Sequence, residues 1–476
     1  MTITPPADRV VLHLGLGSFH RAHQACYQQA LISQGDGSWY LVGGNIRPDM
    51  ADTVNALIAQ HGRYTLETVT PAGERSYTEI TSIREVIPFE AGLSKLVARA
   101  SQASTRIISF TVTEAGYYLD AQNDLDTLAP DISRDTSVAC GESAPGQAGS
   151  TIYGAVAALL RARMRAQAGP VTLLNCDNLR HNGDRFRKGL LQFLAQLRDP
   201  ELLVWVEAYT SCPNAMVDRI TPRPTPDVAE RVLAATGRVD AAPVMAESFT
   251  QWVIEDNFIA GRPAWESVGV EMVSSVAAYE EAKIRLLNAT HGCIAWAGTL
   301  MGYQYVHEGT QNPVVRRIAY DYVTDDAIPV LDTPEKPSPL DLRRYRDVVL
   351  DRFANPAICD TNQRVAMDGY AKITGFIMPT IRDCIAQGRS IQSVAMLPAL
   401  FLTYLQRWHT GALPYAYQDQ IMDVQKAHDM CNAKDPIEAF IADPLLWGDL
   451  ASNETLLRTV RVAHERVKLI LEYQLP

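Results

Sequence analysis

Three of the polar side chains in the stretch EEAKIRLLNATHG, at positions 280–292, have a type and spacing that could support chemistry. They are Lys283, Asn288 and His291, and isoleucine and leucine residues stand between them. On an ideal α-helix of about 100° per residue, these three and Glu280 fall within an arc of roughly 140°. The segment therefore predicts a helix that presents reactive groups on the face carrying its apolar side chains.

These residue types suit proton transfer at an alcohol. A lysine on an apolar face loses hydration, and this loss lowers the pKa of its ammonium group. A lysine of lowered pKa can act as a general base near neutral pH. Asn288 and His291 can donate hydrogen bonds to an alcohol oxygen that is acquiring negative charge. The alternative is that Lys283 extends towards solvent while Asn288 and His291 satisfy buried carbonyl groups, and the segment alone leaves both readings open.

The cysteines give no sign of a metal centre or a disulfide framework. No two of them form a Cys-x-x-Cys pair, so we expect no structural zinc site. Cys293 follows His291 by two residues and raises the idea of a Cys/His nucleophile, but neighbours in sequence are poor evidence for pairing in space. A buried apolar thiol is the favoured interpretation. The eight cysteines are Cys26, Cys140, Cys176, Cys212, Cys293, Cys359, Cys384 and Cys431.

A second chemical signal lies near the start of the chain, where the apolar run RVVLHL is followed by GLGSFH. A dinucleotide fold binds pyrophosphate on backbone N–H groups at a strand-to-helix turn, and glycines allow the tight turn and the close approach. Two of the three expected glycines are present, and His20 stands in place of the third. An ordinary turn is the alternative, but the position after the first buried strand favours a cofactor site. The predicted contacts are Gly15, Gly17, Ser18 and Phe19.

The segment after the second apolar run bears on the choice of cofactor. In GGNIRPD, Asp49 could accept a hydrogen bond from a ribose 2′-hydroxyl, whereas Arg47 could bind a 2′-phosphate. Both charges could also be solvated surface groups. We favour Asp49 as the ribose ligand, which predicts NAD rather than NADP.

Alternating elements surround these motifs in the first part of the chain. Apolar runs of strand length stand at 9–14, 39–44, 106–113 and 170–178, and helical patterns stand at 150–169 and 184–199. Such alternation predicts an α/β domain, a Rossmann-type parallel sheet with helices on both faces.

The pattern changes near residue 275, where helical segments begin to dominate. We therefore predict two domains, residues 1–275 for dinucleotide binding and residues 276–476 as a mainly α-helical substrate-binding and catalytic domain. The predicted helices of the second domain are 280–305, 313–324, 340–353, 390–408 and 454–473.

The composition is that of an ordinary globular protein, with 47% hydrophobic and 20% charged residues. A formal net charge of -11 argues against nucleic acid or an anionic membrane as partner, since both bind clustered Lys and Arg. The N-terminal sequence has no signal-peptide pattern, and no apolar run is long enough to span a bilayer. We expect a soluble cytoplasmic protein, and a neutral small molecule remains allowed as its substrate.

The motif K-x4-N-x2-H at 283–291 resembles the signature of the polyol-specific long-chain dehydrogenases. Further blocks resemble that family in the same order, so the likeness covers essentially the whole chain. They are GLGSFHRAHQ (15–24), TVTEAGYY (111–118), CDNLRHNG (176–183), CPNAMVDRITP (212–222) and NQRVAMDGYAKI (362–373). The resemblance implies that Lys283 is the general base, that Asn288 and His291 hold the reactive oxygen, and that Glu280 relays the proton to solvent.

The resemblance also implies a substrate class and further binding residues. The implied reaction is the zinc-independent, NAD-dependent oxidation of a sugar alcohol to a ketose, D-arabinitol to D-xylulose, with D-mannitol to D-fructose as the alternative. From another functional class, a non-catalytic protein that senses NAD remains an alternative. A functional monomer is expected. The implied polyol-binding residues are Asn178, Asp218, Arg364 and Lys372, and the implied further cofactor-binding residues are Thr113 and Glu114.

Overall fold

The structure is a computed structural model and describes residues 8–120, 123–141 and 149–473. It divides into two compact units. The first unit runs to Val69 and resumes over Arg75–Ala277, and the second contains Thr70–Glu74 and continues from Ala278. The sequence did not predict that the short segment Thr70–Glu74 would cluster with the second unit.

All strands of the described chain lie in the first unit. They are β1 (Arg9–Leu14), β2 (Trp39–Gly44), β3 (Tyr64–Val69), β4 (Arg75–Ile80), β5 (Ile83–Ile87), β6 (Thr105–Phe110), β7 (Val171–Asn175), β8 (Thr210–Ser211), β9 (Ala215–Asp218), β10 (Val244–Glu247), β11 (Gln251–Glu255) and β12 (Glu271–Val273). The accompanying helices are α1 (Ser18–Ala22), α2 (Gln24–Ser33), α3 (Ala51–Ala59), α4 (Ser94–Ala100), α5 (Pro130–Ala139), α6 (Ile152–Arg165), α7 (Asn182–Gln196), α8 (Pro200–Tyr209) and α9 (Pro226–Thr236), with 3₁₀ turns at Glu114–Tyr117 and Trp265–Val268.

A six-stranded parallel sheet of order β5-β2-β1-β6-β7-β8 is the centre of this unit. All residues of β1 after Arg9 are buried, as expected for a strand in a sheet that helices cover on both sides. In β1, Val10 and Leu12 pack into one hydrophobic cluster and Val11 into the other. The strand order reverses between β1 and β6, and in such folds the ligand crevice lies at this point. The predicted α/β fold is confirmed.

Two smaller sheets complete the first unit. One has the order β10-β3-β4, with β3 and β4 antiparallel, and the other has the order β12-β11-β9.

The sequence after the phosphate turn has a helical pattern through Ala22, Tyr27 and Leu31, which predicts one helix, but the structure has two helices that meet at His23. The backbone there leaves the helical region, with φ -126° and ψ -85°. Side chains from other elements donate hydrogen bonds to the backbone carbonyl groups just before His23. Tyr64 Oη donates to the Arg21 carbonyl at 2.6 Å and Arg219 Nη1 donates to the Ala22 carbonyl at 2.5 Å. Hydrogen bonds from side chains distant in the sequence thus replace backbone hydrogen bonds within the helix at this point.

The second unit is helical throughout its described elements, which confirms the predicted class. Its helices are α10 (Ala277–Ala282), α11 (Ala289–Leu300), α12 (Val306–Gln311), α13 (Pro313–Asp321), α14 (Ile328–Leu331), α15 (Leu342–Phe353), α16 (Asn362–Ala366), α17 (Gly369–Lys372), α18 (Met378–Ala386), α19 (Met396–His409), α20 (Val424–Asn432), α21 (Pro436–Ala442), α22 (Pro444–Trp447) and α23 (Glu454–Tyr473). Turns of 3₁₀ type stand at Pro356–Ile358 and Gly448–Leu450, and π-helical turns stand at Lys283–Asn288, Tyr322–Ala327 and Ile373–Ile377.

Some predicted helix limits in this unit are wrong. The segment predicted as helix 280–305 ends at Leu300, because Gly302 adopts the left-handed conformation (φ 85°) that closes many helices. The segment predicted as 313–324 continues to Leu331 through a π-helical turn. The segment predicted as 390–408 begins its helix only at Met396. Periodicity marks these helices but not their ends.

Among the described residues, no helix combines the length and the apolar character that a bilayer span requires.

The buried carboxyl group of Asp326 makes the stability of the protein depend on pH. Asp326 is 2% exposed and accepts a hydrogen bond from the Val394 N–H at 2.6 Å. Burial raises the pKa of this carboxyl to about 6. The folded protein then holds this proton more tightly than the unfolded chain, so ionisation costs stability above about pH 6, and the cost is lost as the pH falls towards the ordinary value of about 3.9.

We expect Asp326→Asn to be more stable than the wild type at pH 8, because the amide keeps an acceptor for Val394 without a buried charge. A difference of about two pKa units sets an upper limit of about 3 kcal/mol for this gain, and the gain should be smaller at pH 5. Thermal unfolding midpoints at the two pH values measure it. Asp52→Asn, at an exposed carboxylate in the first turn of α3, is the control. A stability difference that is the same at both pH values would contradict the assignment.

Candidate active site

Lys283 and Asn288 are the first and last residues of a π-helical turn. The Ala289 N–H bonds to the Ile284 carbonyl, five residues back, instead of the carbonyl four residues back. Residues five apart lie more nearly on one side in such a turn, whereas an ideal α-helix would separate them by about 140°. The regular helix assumed from the sequence is therefore wrong here, and the actual turn aligns Lys283 with Asn288.

The surroundings of Lys283 are largely closed to solvent. Lys283 is 7% exposed, Ile284 is 8% exposed and Leu287 is 7% exposed. Glu280, one helical turn earlier, is 5% exposed. Asn288 is half-buried. An ammonium group in this position has lost most of its hydration, which is the condition that the sequence analysis required of a base.

His291 lies in the first turn of α11 and faces a carboxylate. Its Nε2 is 3.3 Å from Asp360 Oδ2, but the alignment is too poor for a hydrogen bond. The imidazole stacks on the Phe353 ring, with 4.4 Å between ring centroids. Asp360 also accepts two hydrogen bonds from Arg364. Arg364 Nε donates to Asp360 Oδ1 at 2.6 Å, and Arg364 Nη2 donates to Asp360 Oδ2. A carboxylate and an aromatic ring thus fix the orientation of His291.

The electrostatics of this group favour a neutral imidazole. Burial lowers the pKa of His291 in spite of the nearby carboxylate. Burial alone would raise the pKa of Asp360, but His291 and Arg364 outweigh it and hold that pKa well below its usual range. At neutral pH the structure therefore pairs an ionised Asp360 with a neutral His291. A neutral imidazole has one N–H and one acceptor nitrogen, so it can donate to an alcohol oxygen only through the nitrogen that carries the proton.

Lys372 lies beside the same stretch of α11. Its Nζ donates to the Met367 carbonyl. A Cβ added at Gly292 would lie 3.3 Å from Lys372 Cδ, so the lysine stem runs closely past the residue that follows His291. Arg364 has a side chain that is 66% exposed, and Asp360 anchors it. The second unit thus places Lys372 next to His291 and links Arg364 to it through Asp360.

Asp360 belongs to the candidate site but was not predicted from the sequence. One signal was available, because Asp360 and Arg364 stand four apart, the spacing at which opposite charges pair on a helix. Its approach to His291 has no local signal, since 69 positions separate the two residues in the chain.

The phosphate turn connects β1 to α1 with a geometry that requires its first glycine. Gly15 has φ 112°, and a side chain there would collide with the Thr111 carbonyl oxygen. A Cβ at Gly17 would meet nothing within 4 Å, so open space lies next to the turn. No side chain caps the start of α1. The uncapped N–H groups and the space beside Gly17 fit the close approach of a dinucleotide's pyrophosphate, with Ser18 and Phe19 as the first helical residues.

His20 replaces the third glycine by a ring stack. Its ring lies on that of His13 in β1, with 3.4 Å between centroids and 10° between planes. His13 Nδ1 bonds to Ser109 Oγ at 2.8 Å. Burial lowers the pKa of His13 to about 3 and that of His20 well below its usual value, so both rings are neutral. Two flat uncharged rings achieve the helix-to-strand contact that glycine normally permits.

The end of β2 supports the turn through a residue that the sequence analysis did not select. Asn45 Oδ1 accepts the Leu16 N–H at 2.8 Å. Asp49 follows in an exposed turn. Arg47 is engaged within its own unit, donating to the Ser150 carbonyl and to Tyr118 Oη, both at 3.1 Å.

The segment after β6 has an unusual backbone. Thr113 has φ 68°, which is rare for a β-branched residue, and it precedes the 3₁₀ turn that Glu114 begins. Asp177 holds this conformation by accepting the Val112 N–H at 2.8 Å and the Thr113 N–H at 3.1 Å. Strained backbone of this kind gathers at binding sites, which agrees with the cofactor role predicted for Thr113 and Glu114.

Two predicted polyol-binding residues, Asn178 and Asp218, lie in the first unit and differ in their exposure to solvent. Asn178 is exposed and follows Asp177 after β7. Asp218 ends β9 and is 5% exposed.

Cys293 is a buried residue of α11 and is 0% exposed. Burial raises the pKa of its thiol to about 12. Since the thiolate is the nucleophilic form, this finding favours the buried apolar thiol over a Cys/His nucleophile.

Comparison with known proteins covers both units. Residues 9–267 match the mannitol dehydrogenase Rossmann domain, and residues 275–468 match the mannitol dehydrogenase C-terminal domain. A D-arabinitol 4-dehydrogenase of Ralstonia nicotianae is 56% identical over 96% of each chain. Another, of Klebsiella pneumoniae, is 52% identical over 94% of this chain and 96% of its own.

A solved structure agrees with these matches. The Pseudomonas fluorescens mannitol 2-dehydrogenase, in a ternary complex with NAD and D-mannitol, aligns with a TM-score of 0.80 and 32% identity, covering 100% of this chain and 95% of that chain. The resemblance seen in the motifs is therefore confirmed, and the chain belongs to the mannitol dehydrogenase family.

Proposed function

We propose that this protein is an NAD-dependent polyol dehydrogenase that oxidises D-arabinitol to D-xylulose. The observation that carries the proposal is the buried Lys283 aligned with Asn288 on a π-helical turn, one helical turn before an oriented, neutral His291. The names of the two relatives at 56% and 52% identity support D-arabinitol as the substrate. In this proposal residues 1–275 bind the dinucleotide and residues 276–476 carry the catalytic groups.

The proposed reaction begins with proton transfer to Lys283, whose Nζ accepts the proton of the alcohol. Asn288 and His291 donate hydrogen bonds to the oxygen as negative charge develops on it. Glu280 relays the proton from Lys283 to solvent. Bound NAD supplies the hydride acceptor. Because Asn288 and His291 stabilise the oxyanion, the proposed mechanism needs no zinc.

The proposed polyol-binding residues recognise the hydroxyl groups that do not react. Asn178 and Asp218 are assigned this role by the family motifs, as are Arg364 and Lys372. Arg364 suits it because Asp360 anchors an otherwise exposed guanidinium group. The proposed enzyme acts as a monomer.

The proposed preference for NAD rests on the turn after β2. Arg47, the candidate for binding a 2′-phosphate, already donates to Ser150 and Tyr118. Asp49 is exposed and would repel a 2′-phosphate while accepting from a ribose hydroxyl.

The second candidate substrate is D-mannitol, which the structurally similar mannitol 2-dehydrogenase binds in its ternary complex with NAD. A non-catalytic NAD sensor is the candidate from another class, and it has no use for the buried base and the oriented donor of the second unit.

We expect kcat/KM with NAD to be higher for D-arabinitol than for D-mannitol, D-sorbitol or xylitol. Initial rates of NADH formation with the four polyols measure this order. Higher kcat/KM for D-mannitol would replace the proposed substrate, and the absence of turnover with all four would favour the sensor.

We expect Asp49→Ala to weaken NAD binding and to narrow the preference for NAD over NADP, because the ribose hydroxyl loses its acceptor and a 2′-phosphate loses a repelling charge. Titration of protein fluorescence with each dinucleotide gives the two dissociation constants. Asp52→Ala removes an exposed charge three residues away and is the matched control. If both variants change the ratio equally, Asp49 acts only through net charge.

We expect Lys283→Met to lower kcat by about two orders of magnitude or more while NAD binding stays near wild type, because positioned proton transfer contributes on this scale. The pH–rate profile of the wild type should show a base that titrates below the free lysine value of about 10.4, and the variant should lack that ionisation. Lys426→Met, at a lysine whose side chain is 79% exposed, is the control. A Lys283→Met enzyme that keeps most of its turnover and its pH profile would end the catalytic interpretation.

A further inference from the structure

The π-helical turn that begins at Lys283 leaves one backbone carbonyl without its usual partner. In a regular helix the Ala289 N–H would bond to the Arg285 carbonyl, four residues back. Here it bonds to the Ile284 carbonyl instead. A buried carbonyl without a hydrogen-bond donor destabilises the fold. The turn is therefore stable only if another group donates a hydrogen bond to the Arg285 carbonyl.

That donor is the hydroxyl group of Tyr322. Tyr322 Oη donates to the Arg285 carbonyl at 2.8 Å, across 37 positions of sequence. The side chain is fully buried, and burial raises the pKa of the phenol, so the hydroxyl keeps its proton and stays a donor. Tyr322 is itself the first residue of a second π-helical turn.

The side chain of Arg285 is also fixed by hydrogen bonds. Its Nε donates to Glu281 Oε2 at 2.8 Å, and its Nη1 donates to Asp383 Oδ2 at 2.5 Å. The guanidinium group is only 10% exposed. Arg285 stands two residues after Lys283 and three before Asn288, so groups outside the turn fix its middle residue at both the backbone and the side chain.

We propose that Tyr322 is a positioning residue that keeps Lys283–Asn288 in π-helical form and thereby aligns the base with Asn288. The inference rests on the proposed role of Lys283 and extends it to a residue that need not touch the substrate. Without the hydroxyl, regular α-helical bonding would satisfy the Arg285 carbonyl. That change would move Asn288 away from Lys283 towards the separation of roughly 140° that an ideal helix gives residues five apart.

The test is Tyr322→Phe, which removes one oxygen atom from a fully buried side chain. We expect kcat for polyol oxidation to fall by about 10- to 100-fold, the scale on which misplaced groups slow a reaction, with the dissociation constant for NAD unchanged. We also expect the midpoint of the pH–rate profile to move, because the base changes its surroundings. Hydrogen exchange of the peptide spanning 283–291 should differ from that of the wild type, because its backbone N–H groups change partners, and this readout is independent of turnover.

The matched control is Tyr153→Phe in the first unit. Tyr153 is also fully buried, and its hydroxyl donates to a backbone carbonyl, that of Tyr117, at 3.1 Å. Tyr153→Phe should lower thermal stability about as much as Tyr322→Phe does, but it should leave the pH–rate profile of polyol oxidation unchanged. Asp383→Asn is the second variant, and by loosening the Arg285 side chain it should lower kcat in the same direction as Tyr322→Phe.

The outcomes separate this inference from the proposed function. If Lys283→Met loses turnover but Tyr322→Phe keeps wild-type kcat, pH profile and exchange, Lys283 is the base and the positioning role is refuted. If Lys283→Met stays active, the proposed base is wrong whatever Tyr322→Phe does. If Tyr322→Phe and Tyr153→Phe lower kcat equally with no change in pH profile, Tyr322 is only structural. Should Tyr322→Phe fail to fold, a wild-type pH profile and wild-type kcat in Asp383→Asn would overturn the inference.

Discussion

The geometry of the candidate site depends on one irregularity, the π-helical turn at Lys283–Asn288. A regular helix would spread its polar residues over a wide arc, whereas the π-helical turn aligns the lysine with the asparagine. That alignment leaves the Arg285 carbonyl outside the helical ladder, and Tyr322 supplies the missing hydrogen bond. Two of the residues that could do chemistry, Lys283 and Asn288, therefore lie where the backbone departs from the regular helix, as is frequent at functional sites.

Burial sets the protonation states in both units. In the second unit it keeps His291 neutral while His291 and Arg364 keep Asp360 ionised. In the first unit it keeps His13 and His20 neutral, which allows their rings to stack under the phosphate turn. Removing charged groups from water is costly, so a site assembled in this way has few alternative charge states at neutral pH. Hydrogen-bond donors that are neutral and already oriented suit the stabilisation of charge that appears only during a reaction.

Local patterns in the sequence predicted much of this structure. The apolar runs predicted the strands of the parallel sheet, and the glycines after β1 predicted the phosphate turn because only glycine adopts the backbone conformation of residue 15 without collision. The polar residues of 280–292 predicted one functional stretch of helix. The break at His23 had no such signal, because hydrogen bonds from Tyr64 and Arg219, far along the chain, create it.

Residue type and spacing along the chain therefore determined the fold class, the family motifs and the candidate residues Lys283, Asn288 and His291. Tertiary structure alone decided how these residues are arranged. The π-helical turn needs a donor from Tyr322, and the orientation of His291 needs Asp360 and Phe353, all distant in sequence. The physical reason is that periodicity and glycine positions report the preferences of neighbouring residues. The partner of a buried carbonyl or imidazole is chosen only when separate elements pack together.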